Sequence, residues 1–275
     1  MSLLKKSQKN TFIVDAFHEG KYLGNPAAVC VLEREPAEAE MQALAAEFNL
    51  SETAFAVKSE RDWKLRWFTP LTEVALCGHA TLATAYSLWH NGFVPRREKI
   101  RFQTKSGVLT AELRKGSVYL DFPLKHLTPI SAGSVRNQLE KLFPGALYFG
   151  EDSSVVYIEL SDAAEVLSFV PDASSLLSIP FIGVVLTSVA SEARFDFVTR
   201  CFYPKEGIPE DPVTGSAHCR LGSYWSLKLK KTTLVAHQAS RRGGVLHLNV
   251  NPDSQRIELG GRGRTFLVGT LSSAT

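Results

Sequence analysis

Apolar residues along this chain recur mostly at alternate positions in short runs closed off by glycine, proline and asparagine, a pattern that predicts a β-rich protein. Residues 12–17 predict an opening strand, and 27–32 predict a second after the turn-forming Gly24-Asn25-Pro26. From 38 to 48 the period lengthens: Met41, Leu44, Ala45 and Phe48 share one face, which predicts an amphipathic helix ending near Asn49. Strands are then predicted at 53–57, 64–68, 99–104, 107–113 and 117–122, and a similar series resumes after about residue 147. Two further helices begin at glycine-bearing loops. Ala80-Thr81-Leu82-Ala83-Thr84-Ala85 after Cys77-Gly78-His79 is small and apolar, so this helix is expected to lie buried in a curved sheet; a second starts at Gly215-Ser216-Ala217-His218.

The recurrence is a repeat. A shift of 134 positions carries Arg66-Trp67-Phe68-Thr69-Pro70 onto Arg200-Cys201-Phe202-Tyr203-Pro204, Asp62 onto Asp196, and Cys77 onto Asp211. Beyond that point a shift of 137 fits better, placing Gly78 and Ala80 on Gly215 and Ala217 and Gly107-Val108-Leu109 on Gly244-Val245-Leu246. Three extra residues are therefore assigned to the second copy at Pro212-Val213-Thr214. A unit this long is not a solenoid repeat. Two similar domains are expected, 11–125 and 126–275, with a ligand in the crevice between them.

With 275 residues, 44% hydrophobic and 21% charged, the chain has the composition of an ordinary soluble globular protein. No stretch is long and apolar enough to span a bilayer. Residues 1–10 are polar, contain lysines and lack an apolar core, so they read as a frayed leader rather than a signal peptide. A cytoplasmic location is expected. Cys30, Cys77, Cys201 and Cys219 are too few for a disulfide scaffold and form no CxxC pair, so reduced thiols are the default. Thirty-one basic against 28 acidic residues give +3, and the one compact basic run, 228–231, alternates with leucine as a solvated helix face would. This argues against nucleic acid and membrane as partners.

A glycine at a helix start lets a ligand approach the backbone, and the free N–H groups of the first turn with the helix dipole favour an anion. Two such starts point to a small carboxylated ligand. The strings Gly24-Asn25-Pro26-Ala27-Ala28-Val29, Asn49-Leu50-Ser51-Glu52-Thr53-Ala54-Phe55, Phe68-Thr69-Pro70, Cys77-Gly78-His79-Ala80-Thr81 and Glu210-Asp211-Pro212-Val213-Thr214-Gly215-Ser216-Ala217 resemble the phenazine-biosynthesis PhzF-like family, in order across about residues 12–270.

The resemblance implies an α+β, diaminopimelate epimerase-like fold of two pseudo-symmetric domains, each a curved sheet or barrel around a central helix. It also implies a homodimer and a cofactor-independent isomerase that moves a proton on a small amino-carboxylate. By matched motifs Glu52 is implied as the acid/base, with His79 and Asp211 lining the site. Gly78, Gly215 and Ser216 would hold the carboxylate, and Asn25 and Ser51 stand on matching motifs beside it.

The residues themselves leave alternatives open. The 134 shift places Leu186 opposite Glu52, so the acid is unique to one copy, and an apolar surrounding would raise its pKa toward a value suited to acid and base roles. Ser51-Glu52 is equally readable as the solvated start of a strand. His79 either orients substrate or hydrogen-bonds backbone at the helix start. Asp211 before Pro212 is also an ordinary turn or cap. Cys77 stands where one thiol of a two-thiol racemase would stand, which opens a two-base Cys77/Asp211 epimerase; otherwise it is a small buried residue under the loop. A non-catalytic binding protein of the same fold is the third possibility. Ser216 lacks a nucleophile-elbow frame, His218, His237 and His247 lack metal-ligand spacing, and Gly260-Gly261-Arg262-Gly263 reads as a turn before the last strand.

Overall fold

A computed structural model describes residues 10–21 and 23–271. Residues 1–9 of the stretch read as a leader lie outside them. Asn10 does not belong to a leader, since it opens the first strand opposite Val31 and Thr270.

The chain divides into two compact units, 1–121 with 260–275, and 122–259. The first contains β1 (Asn10–Ala16), β2 (Asn25–Leu32), α1 (Glu38–Phe48), β3 (Thr53–Ser59), β4 (Asp62–Phe68), β5 (Glu73–Val74), α2 (Gly78–His90), β6 (Ile100–Thr104), β7 (Gly107–Arg114) and β8 (Ser117–Pro123), whose end passes into the second. The second continues with β9 (Thr128–Pro129), α3 (Ser134–Leu142), β10 (Tyr148–Glu151), β11 (Val155–Glu159), α4 (Ala163–Ser168), α5 (Ala173–Ser178), β12 (Gly183–Val189), β13 (Phe197–Tyr203), β14 (Ile208–Asp211), α6 (Gly215–Leu229), β15 (Thr233–Gln238), β16 (Gly244–Asn251) and β17 (Arg256–Gly261). β18 (Gly263–Thr270) returns to the first unit as an antiparallel partner of β1, from Asn10↔Thr270 to Ala16↔Gly263. The expected second domain, 126–275, is corrected by that strand: its backbone hydrogen bonds are satisfied in the first unit.

The two units repeat one strand order. In the first, β2 runs parallel to β3, β3 antiparallel to β4, β4 antiparallel to β5 and parallel to β6, and β6 antiparallel to β7. In the second the same relations hold for β11–β12, β12–β13, β13–β14, β13–β15 and β15–β16. An Arg–Glu pair is repeated with them. Arg66 Nε and Nη2 donate to the two Glu73 carboxylate oxygens at 2.8 and 2.6 Å, and Arg200 does the same to Glu210 at 2.7 and 3.0 Å.

α1 buries Met41 and Ala45 with Leu44 and Phe48 alongside, packing on Cys30, Phe55 and Phe68. It ends where Asn49 takes a left-handed conformation and donates its N–H to Ala45 O at 3.1 Å. α2 is buried along its length except at Tyr86 and His90 and packs against β1, β2, β3 and β18. Its hydroxyls are satisfied internally: Thr81 donates to Cys77 O at 2.5 Å, Thr84 to Ala80 O at 2.7 Å and Ser87 to Ala83 O at 2.8 Å. In the second unit α6 packs against β15 and β16, beside a core centred on Leu139, Ile158, Leu186 and Phe202. Lys228 is not on a merely solvated face, because its Nζ lies 2.5 Å from both oxygens of the buried Glu159. No helix among the described residues is long and apolar enough to cross a membrane, and all four cysteines are buried and outside any disulfide.

Candidate active site

In the first unit, three separate stretches bring their polar side chains together. The turn before β2 is held by Gly24, whose φ of +85° suits glycine and whose missing side chain would lie 2.4 Å from Ala16 O. That turn fixes Asn25, which is fully buried. Ser51 and Glu52 immediately precede β3, and Cys77, Gly78 and His79 form the cap and first turn of α2.

A directed chain of contacts links them. The Ser51 hydroxyl donates to Asn25 Oδ1 at 3.4 Å, which turns the Asn25 amide nitrogen toward His79 Nδ1 at 3.3 Å. The Cys77 thiol also faces Nδ1, at 3.5 Å. An Nδ1 that accepts leaves the imidazole proton on Nε2, and Nε2 lies 3.2 Å from Glu52 Oε2. His79 is 5% exposed, and burial pushes its pKa down to about 3, so the ring is neutral near pH 7. Glu52 keeps 16% of its side chain exposed. Oε2, the oxygen beside the imidazole, is itself buried.

Asp211, Gly215 and Ser216 stand in the second unit. Asp211 ends β14, and its carboxylate accepts the Thr214 hydroxyl. Gln238, wholly buried, ties this loop down: its amide nitrogen donates to Asp211 O at 2.7 Å and Thr214 Oγ1 at 3.2 Å, while its Oε1 accepts the Thr214 N–H at 2.8 Å. Gln238 escaped the sequence reading because its partners lie 24 and 27 positions away. Gly215 is buried and Ser216 exposed in the first turn of α6. His218 donates from Nδ1 to Thr214 O at 2.7 Å, and burial pushes its pKa down to about 4. It is a packing histidine.

Register corrects two equivalences read from the sequence. Thr53 pairs with Phe68 and Val184 with Phe202, so Glu52 corresponds to Gly183 rather than to Leu186. A side chain at Gly183 would meet the Tyr203 ring at 2.4 Å, so that ring fills the corresponding space in the second unit. Trp67 pairs with Val74, and Cys201 with Asp211, so Asp211 corresponds to Val74 and not to Cys77. The counterpart of Cys77 is Thr214; each is the N-cap of its unit's long helix. The three extra residues therefore fall between β13 and β14, around the 3₁₀ turn Pro204–Glu206, and not at Pro212-Val213-Thr214.

A family model described as phenazine biosynthesis-like protein, PhzC-PhzF, matches residues 14–269. A protein of Halalkalibacterium halodurans named an uncharacterized isomerase is 44% identical over 257 residues, covering 93% of this chain and 96% of the relative. A crystal structure of a phenazine biosynthesis protein of the PhzF family from Enterococcus faecalis is 40% identical, superposes with a TM-score of 0.88, and covers 97% of this chain and 100% of that one. The α+β, epimerase-like fold extends further. A hydroxyproline epimerase from Agrobacterium vitis shares it at a TM-score of 0.61 and 12% identity, covering 97% of this chain and 93% of that one.

Proposed function

The chain belongs to the phenazine biosynthesis-like protein family, and from that membership we propose an isomerase that moves a proton on a small carboxylated, amino-acid-like substrate without a cofactor. The Glu52 carboxylate takes a carbon-bound proton, and the C–H electron pair enters the substrate's conjugated system. Protonated Glu52 then returns the proton at another carbon, so the enzyme ends as it began. His79 remains neutral beside the Glu52 carboxylate, at 3.2 Å but without the alignment of a hydrogen bond. The free N–H groups of the first turn of α2, from Gly78 onward, favour the anion that develops. Gly215 and Ser216 offer the same kind of donors, backbone N–H and hydroxyl, at the start of α6, and Asp211 beside them is a candidate hydrogen-bond partner for an amino group.

The observation that carries this reading is the 3.2 Å approach of Nε2 of the buried, neutral His79 to Glu52 Oε2, at a position whose repeat counterpart is Gly183. At this repeat position the first unit carries a carboxylate and the second a glycine. The two-base reading loses its sequence argument, because Thr214 and not Asp211 stands in the place of Cys77.

Deuterium wash-in followed by proton NMR tests the proposal, with the protein incubated in heavy water with small amino-carboxylates. Exchange that disappears in Glu52→Gln and persists in Cys77→Ala supports it. Exchange that persists in Glu52→Gln and disappears in Cys77→Ala replaces it with thiol chemistry.

A further inference from the structure

Glu52, Cys77 and His79 can each present one metal-ligating atom so that all three lie within 4.8 Å of one another. We propose that they form a binding site for a zinc-like divalent ion that inhibits the enzyme. The site itself rests on geometry alone, and the inhibition rests on Glu52 being the acid/base.

A thiolate, an imidazole and a carboxylate are the donor types of zinc sites that have three protein ligands and an open fourth position. Zn–S and Zn–N bonds of about 2.3 and 2.0 Å at a tetrahedral angle separate sulfur from nitrogen by about 3.5 Å, and Cys77 Sγ stands 3.5 Å from His79 Nδ1. Glu52 Oε2 stands 3.2 Å from the other ring nitrogen, Nε2, so its flexible, partly exposed side chain must swing toward the Cys77 side of the ring for all three groups to reach one ion. Two of the ligands are fixed on α2, as N-cap and in its first turn. Binding releases the Cys77 thiol proton to solvent, forms the metal–sulfur bond, and takes the Asn25 contact from His79 Nδ1. The soft thiolate selects zinc-like ions over magnesium and calcium.

The other thiols do not compete. Burial pushes Cys201 and Cys219 up to about 12, and Cys30 lies within the core with Met41 and Phe55. Sequence spacing concealed the site, because Glu52 lies 25 positions from Cys77 and joins it only through the fold.

Cobalt(II) is the probe, titrated into the full chain under reducing, chelator-free conditions. One equivalent should produce a thiolate-to-cobalt charge-transfer band in the near ultraviolet that zinc abolishes. The band should vanish in Cys77→Ser and weaken in Glu52→Gln, with circular dichroism confirming that both variants fold. Absence of the band in the unsubstituted protein, or its survival in Cys77→Ser, overturns the site. Zinc should also arrest proton exchange at the same stoichiometry, and exchange undisturbed by a bound equivalent overturns the inhibition. The optical readout needs no substrate, so a failure to find exchange leaves the test of the site intact.

Discussion

The side-chain nitrogen of Asn25 lies 3.3 Å from His79 Nδ1, and this contact between residues 54 positions apart decides which imidazole nitrogen faces Glu52. Because Asn25 Oδ1 already accepts from Ser51, its amide presents a donor to the ring, and Nε2 keeps the proton.

Asn25→Asp reverses that polarity. A carboxylate against Nδ1 attracts the ring proton, so His79 should become Nδ1-protonated and proton exchange should fall about 10²-fold. Ring ¹⁵N shifts report the tautomer directly; a ring still protonated only on Nε2, with unchanged exchange, contradicts the assignment.

Gly183 occupies the position of Glu52 in the second unit, and the Tyr203 ring lies where its side chain would go. Gly183→Ala should cost about 1–3 kcal/mol through overpacking, read by urea unfolding. Gly183→Ala with Tyr203→Leu should recover most of the loss, since the clash is with that ring.

Glu159 is buried and is answered by Lys228 and the Tyr224 hydroxyl. Lys228→Met should cost about 2 kcal/mol by leaving a buried carboxylate short of its cation. Adding Glu159→Gln should restore part of that stability, which distinguishes an uncompensated charge from lost packing.

His218 and His79 make stability depend on pH with a definite sign. Burial holds their folded pKa values at about 4 and about 3, below the ordinary 6.5 or so of an unfolded histidine. Below pH 6.5 the unfolded chain takes up protons that the folded chain refuses, so their contribution is complete above 6.5 and declines as pH falls toward 4. The slope is up to about 1.4 kcal/mol per pH unit for each histidine. Urea unfolding of His218→Gln at pH 7.5, 6 and 5 should show one proton less of pH dependence than the unsubstituted chain.

Local pattern carried much of the architecture. α1 runs over the predicted 38–48 and ends at Asn49, because one apolar face and a residue tolerant of the left-handed conformation are both local properties. The strands and the buried helix after Cys77-Gly78-His79 were legible for the same reason, as was the resemblance to the family; the turn expected at Gly260-Gly261-Arg262-Gly263 was not, since its glycines lie in β17 and β18 with only Arg262 between them. A side chain's periodicity says which face it shows, whatever lies across from it.

Partnership across the sheet was decided only in three dimensions. The shift from 134 to 137 positions could be seen in the sequence, but its location could not, since an insertion between β13 and β14 reads as well on either side of Asp211. Only the ladder, pairing Cys201 with Asp211 and Trp67 with Val74, placed Thr214 opposite Cys77 and Gly183 opposite Glu52. The return of β18 to β1, the clamp of Gln238 on the Asp211 loop and the convergence of Asn25, Glu52, Cys77 and His79 belong to the same class. Each joins residues distant along the chain through backbone hydrogen bonding and burial, which local alternation of apolar and polar residues does not encode.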